Sequence, residues 1–254
     1  MKTKTFNRYG WRRDHPEHSD IRYDATSPLD LPAKVDLRDQ CPAVLNQGEL
    51  GSCTANAIAN AHLFEQMKQK AKKTFLPSRL FIYYNERLIN NSIESDSGAE
   101  LRDGIKTISK QGVCSELHWL YDVLKFAKKP NAKCYKEGLK HKAITYAKVS
   151  QDLPSMKHCL ASGYPFVIGF SVYESFESDE MAKTGEGQLP DLFENFLGGH
   201  AVLVVGYDDK NQRFNVMNSW GEEWGDKGFF TLPYEYLCNN DLSSDFWTVR
   251  MVQV

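Results

Sequence analysis

The sequence predicts an α+β fold of two lobes, one helical and one strand-rich, with a functional cleft between them. Residues from about 33 to 140 carry apolar positions at helical spacing. Residues from about 141 to 254 carry short apolar runs closed by Gly, Asn or Asp, the pattern of strands and turns. A third observation joins the halves. Cys53 lies in the first, while His200 and Asn218 lie in the second, so any site that uses all three must sit where the lobes face each other.

The chain opens on a stretch that fits neither lobe. Tyr9 to His18 is charged and aperiodic, and Leu29-Asp30-Leu31-Pro32 marks a boundary. Residues 1–31 are therefore expected to stand apart and residues 32–254 to form one domain. Tyr9 and Trp11 argue against a plain disordered arm, where aromatics are scarce. In the first lobe, Ala55, Ile58, Ala59, Leu63 and Met67 follow Cys53 at nearly helical spacing. Pro77–Arg87 and Leu101–Ile108 read as two more helices. In the second lobe, strands are expected at Pro165–Tyr173, Ala201–Tyr207, Phe214–Trp220, Gly228–Leu232 and Phe246–Val254, with a turn at Asn211. The polar stretch Glu174–Asp191, with Gly185 and Gly187, reads as a mobile surface loop.

A Cys, a later His and a still later Asn are the ingredients of a thiol nucleophile, its base and the group that orients the base. Gly51-Ser52 gives a tight entry to the helix, so Cys53 should stand at its first turn, where the helix dipole favours a thiolate. Gln47, six residues earlier, can bring its amide near the Cys53 backbone N–H. Two such donors form an oxyanion hole, worth roughly 3–4 kcal/mol per donor. His200 is expected to open one strand and Asn218 to close the next, so antiparallel pairing would bring them together. Trp220 would then cover their hydrogen bond. The other histidines (15, 18, 62, 118, 141 and 158) have no such context and read as structural or solvent-facing, and no pair has metal-ligand spacing.

These runs, Gln47 to Cys53, Gly199-His200-Ala201, and Asn218-Ser219-Trp220-Gly221 continuing to Phe229, resemble the motifs of the papain-like cysteine peptidases, in the same order. The resemblance runs from about Val35 to Trp247. It implies the papain-like fold, with an antiparallel, barrel-like second lobe and the active site in the cleft. It implies Cys53 as nucleophile, His200 as acid/base, Asn218 as orienter and Gln47 as oxyanion donor. It implies that Gly98 and Ala99 pair with an extended substrate, and that Leu101, Gly199 and Ala201 shape an apolar pocket for the second residue before the cleaved bond. Residues 1–31 resemble a short prosegment that inhibits in cis. Two positions depart from the family pattern: Leu50 stands where a Cys precedes the nucleophile and Thr54 where an aromatic follows it. Leu50 is left to pack the helix start. Cys134 falls near a bridged position of relatives, with Cys114 as its nearest available partner.

The implied activity is endopeptidase hydrolysis through a thioester, made as a zymogen, with peptide or protein substrates and no metal or cofactor. The alternatives are an exopeptidase or acyl transferase on the same fold, or an inactive peptide-binding homologue. At 254 residues and a net charge of −2, a monomer is expected, with no reason to bind nucleic acid and no membrane-spanning run. The first residues lack the apolar core of a secretory signal. A secreted or lysosome-like compartment is compatible with a signal removed beforehand, and the sequence assigns none.

Overall fold

The computed structural model describes residues 8–25 and 31–254. The chain enters as a two-residue strand, β1 (Trp11–Arg12), followed by β2 (Lys34–Asp36). The first lobe continues with α1 (Cys53–Lys68), α2 (Arg79–Ile89), β3 (Ala99–Glu100), α3 (Leu101–Lys110) and α4 (Ala132–Gly138). The second runs β4 (Ala143–Lys148), α5 (Leu153–Ala161), β5 (Phe166–Tyr173), α6 (Asp179–Thr184), β6 (Phe196–Asp208), β7 (Arg213–Met217), β8 (Phe229–Pro233), α7 (Tyr234–Cys238) and β9 (Ser243–Val252).

Helix α1 is the centre of the molecule. Its alternating Ala55, Ala57, Ala59 and Ala61 are all buried, and small side chains let α2, α3 and the sheet approach from several directions. Helix α2 starts where the Ser78 hydroxyl accepts the Phe81 N–H at 3.2 Å, and α5 where Asp152 accepts the Ser155 N–H at 2.8 Å. Caps of this kind contribute about 1 kcal/mol each. The second lobe is a seven-stranded sheet among the described residues, in the order β4-β9-β5-β6-β7-β8 with β2 added to β6. All its pairings are antiparallel. Strand β5 is buried at every position from Phe166 to Val172, which is why it reads as an unbroken apolar run.

Several elements differ from the sequence expectations. Strand β6 begins at Phe196, so His200 lies inside a strand and does not open it; Gly198 and Gly199 pair with Val172 and Ser171. Strand β7 stops at Met217, one residue before Asn218. Strand β2 lies in the first lobe's sequence range yet pairs with β6 of the second. Residues 174–191 are not a free loop: a short 3-10 turn and α6 anchor them through buried Phe176 and Met181. Cys114 and Cys134 share a small cluster with Phe81, but both are free thiols. The expected linker after Ala25 (residues 26–30) lies outside the described residues.

Candidate active site

Cys53 is the first residue of α1 and is fully buried. Leu50, also fully buried, packs the loop before it. A polar clamp adds to that packing: the Gly51 N–H donates to both Asp96 carboxylate oxygens at 3.1 and 3.0 Å, and the Tyr83 hydroxyl donates to the same carboxylate. Thr54 donates its hydroxyl to buried Glu86 at 2.9 Å, a contact that an aromatic in its place would not make.

His200 and Asn218 meet as their positions on β6 and just beyond β7 allow. The Asn218 Oδ1 lies 2.8 Å from the His200 Nε2. That oxygen also accepts the Ser219 N–H at 2.8 Å, which fixes it as an acceptor and places the ring proton on Nε2. Nδ1 is left as the basic nitrogen, buried and without a hydrogen-bond partner. Trp220 stacks on the imidazole, centroids 4.9 Å apart and planes 30° apart. Gln47 is held in one orientation, because its Oε1 accepts the Ser219 hydroxyl at 2.7 Å and its Nε2 is thereby turned toward the loop and the cleft.

The cleft is occupied by the chain's own N-terminal stretch. The Gln47 Nε2 donates to the Arg8 carbonyl at 2.9 Å. The Gly10 N–H reaches the Cys53 sulfur. The Arg8 guanidinium lies 3.7 Å from the Trp220 ring centroid, and Tyr9 meets His200 and Trp220 edge-on. β1 pairs with β3 in parallel, and the Ala99 N–H donates to the Gly10 carbonyl at 2.7 Å. Gly98, at φ +67, takes a backbone shape that L side chains rarely adopt, and a Cβ there would stand 2.0 Å from that carbonyl oxygen. A Cβ on Gly10 would stand 1.7 Å from the Gly51 oxygen. Burial under this stretch pushes the Cys53 thiol up to about 12, despite the N–H groups of Ala201, Gly10 and Thr54 that pull it down. The same burial holds His200 at about 3, against the rise from Asn218. The pair is therefore neutral while the stretch is in place.

Trp11 fills a pocket carved by glycines: a Cβ on Gly169 would fall 1.8 Å from its ring, and one on Gly199 2.6 Å. Leu101 and Ala201 are fully buried nearby in sequence to the paired strands. The expected apolar pocket needs correction, because a carboxylate stands at its end. The Trp11 Nε1–H donates to the Asp245 Oδ2 at 3.1 Å. Asp245 sits at φ +63 where the β5–β9 register slips between Val167–Trp247 and Gly169–Ser244, and this bulge re-aims its side chain. Its oxygen also accepts the Asp14 N–H at 2.7 Å. Asp245, Gly169, Asp96 and Gly10 line or brace this site, and the sequence reading missed them. Among the described residues, no group of three or more His, Cys, Asp or Glu side chains is placed to hold a metal ion, and no helix is long and apolar enough to cross a membrane.

Residues 31–244 match the family model described as papain family cysteine protease. An uncharacterized peptidase C1-like protein of Acanthamoeba polyphaga mimivirus is 43% identical, over 99% of this chain and 90% of that protein. The crystal structure of xylellain, a cysteine protease from Xylella fastidiosa, superposes with a TM-score of 0.89 at 41% identity, covering 99% of this chain and 98% of the other. Digestive procathepsin L 3 of Tenebrio molitor shares the fold at a TM-score of 0.70 and 20% identity, over 90% of this chain and 73% of its own.

Proposed function

The chain belongs to the papain family of cysteine proteases, and we propose that it is an endopeptidase held inactive by its own residues 8–25. In the released enzyme, Cys53 passes its proton to the His200 Nδ1 and attacks the substrate carbonyl. The resulting oxyanion takes hydrogen bonds from the Gln47 Nε2 and the Cys53 backbone N–H. The C–N bond breaks as His200 returns the proton to the leaving amine, and a thioester remains on Cys53. Water, deprotonated by His200, then hydrolyses it and frees the thiol. Asn218 keeps the imidazole turned so that Nδ1 serves every step.

The observation that carries the inhibited state is the Arg8 carbonyl on the Gln47 Nε2, where the oxyanion would form. The sulfur, however, meets the Gly10 N–H. The stretch thus fills both the oxyanion position and the space beside the thiol. A tethered peptide of this length acts at an effective concentration on the order of mM, so even weak docking blocks turnover. The pocket left by Trp11 would take a long flat or cationic side chain that can donate to Asp245. The test uses the chain carrying Trp11→Ala, which loosens the docked stretch, and peptides blocked at both ends. Internal cleavage, with a transient thioester adduct by mass spectrometry, is the expected result. A requirement for a free terminus would sink the endopeptidase reading.

A further inference from the structure

The inhibitory stretch continues past the pocket onto a basic shelf formed by α3 and the end of β4. Among the described residues, the ion-pair partners of Arg102, Lys106 and Lys148 all come from that stretch. Arg102 grips Asp20 through Nε at 2.9 Å and Nη2 at 2.6 Å, with Glu17 and Asp14 at 3.7 and 3.9 Å. Lys106 meets Glu17 at 2.6 Å, and Lys148 lies 3.5 Å from Asp20 and 4.0 Å from Asp14. The backbone joins as an added strand: the Lys148 N–H donates to the Ile21 carbonyl at 2.7 Å, and the Tyr23 N–H donates to the Lys148 carbonyl at 2.9 Å. Beside it remains a hollow of about 270 Å³, with Ile105, Tyr146 and Trp247 in its wall and Lys106 and Lys110 among its lining. Ile21 leans on this hollow yet stays 57% exposed. The shelf is thus larger than its resident peptide uses.

We propose that the shelf is a docking site for an acidic stretch of a protein substrate, upstream of the cleaved bond, and that Glu17–Tyr23 holds that place in the resting enzyme. The proposal rests on the peptidase reading above. Once the stretch leaves, three cations lose their ionic partners together, and an incoming chain with carboxylates three residues apart and an aliphatic residue next to the second would restore them. Gly10 lies at the sulfur and Glu17 at the shelf, so the acidic residues fall about seven to ten positions from the cleaved bond.

The test uses the full chain carrying Glu17→Gln and Asp20→Asn, so that its own stretch no longer supplies those carboxylates. Two fluorogenic peptides share one cleavage sequence, and only one carries the upstream acidic stretch. The acidic peptide should show about tenfold higher kcat/KM at low salt, from several exposed ion pairs acting together. That ratio should fall toward one at high salt and on adding Lys106→Gln and Lys110→Gln. A ratio of one at low salt overturns the proposal. If neither peptide is cleaved, a thiol-reactive peptide epoxide applied to the same chain with Trp11→Ala added separates a closed cleft, which then labels at Cys53, from a failed peptidase reading, which does not; fluorescence anisotropy of the labelled acidic peptide still decides the docking site. Salt-sensitive binding lost in the lysine variants supports it, and no binding overturns it.

Discussion

On the proposed mechanism, Cys53 and Asn218 serve one reaction in different ways. Cys53→Ala removes the atom that forms the thioester, so peptide hydrolysis should vanish while the circular dichroism spectrum stays unchanged. Asn218→Ala leaves the imidazole its chemistry and removes only its orientation, so kcat should fall by about tenfold to a hundredfold. A loss as complete as that of Cys53→Ala would give Asn218 another role. Asp245 tests the pocket. Asn tolerates positive φ, so Asp245→Asn should fold and lose only the charge that faces the pocket. Substrates with Arg or Trp at the second position before the cleaved bond should lose about tenfold or more in kcat/KM relative to Leu, the size of a charge-assisted hydrogen bond. An unchanged ratio would place that side chain elsewhere.

At the scale of elements, the docked stretch contains a pH-dependent contact. The Asp14 carboxylate accepts the Trp247 Nε1–H at 2.9 Å and the Arg102 backbone N–H at 3.0 Å, with Arg102, Lys148, Asp20 and Asp245 around it. Burial first, and then the Asp245 carboxylate, push its pKa up to about 7 from an ordinary 3.8. The docked state therefore binds a proton that the released state gives up. The Asp14 contribution to docking is complete below about pH 3.8 and is lost as pH rises through about 7. Hydrogen-exchange protection factors for residues 10–23, corrected for intrinsic rates, should fall between pH 5 and pH 8, and Asp14→Asn should flatten the change. Protection that rises with pH would reverse the sign assigned to Asp14.

The same stretch shows what a sequence conceals. The runs around Cys53, His200 and Asn218 were legible because each motif is local and its order is fixed along the chain. Helices α1, α2 and α3 were legible from spacing, to within two or three residues at most ends. Residues 8–25 were legible only in outline, as a segment across the cleft anchored by Tyr9 and Trp11; their path and polar contacts were not, because the partners lie far away: Asp14 is bonded to Trp247 and Asp245, more than 230 positions later. No periodicity marks a segment that borrows its order from a finished surface. Asp245 was hidden for a related reason. A strand read by alternation gives its faces, but a register slip decides which side chain leaves the pattern, and the slip depends on the neighbouring strand.

On the whole-molecule scale, two lobes and one N-terminal stretch form a single closed unit, with Trp11 in the hydrophobic core and only 8% exposed. Burial in this closed unit is what raises the Cys53 thiol and lowers the His200 imidazole. The central claim is that closure inhibits. Its most direct test is the rate at which a thiol-reactive peptide epoxide inactivates the full-length chain, compared with Trp11→Ala at matched active-site concentration. Losing a buried indole weakens docking by up to about 3–5 kcal/mol. The variant should therefore be inactivated at least about tenfold faster, with its melting transition still cooperative. Equal rates in the two chains would mean that residues 8–25 rest on the enzyme without restraining it.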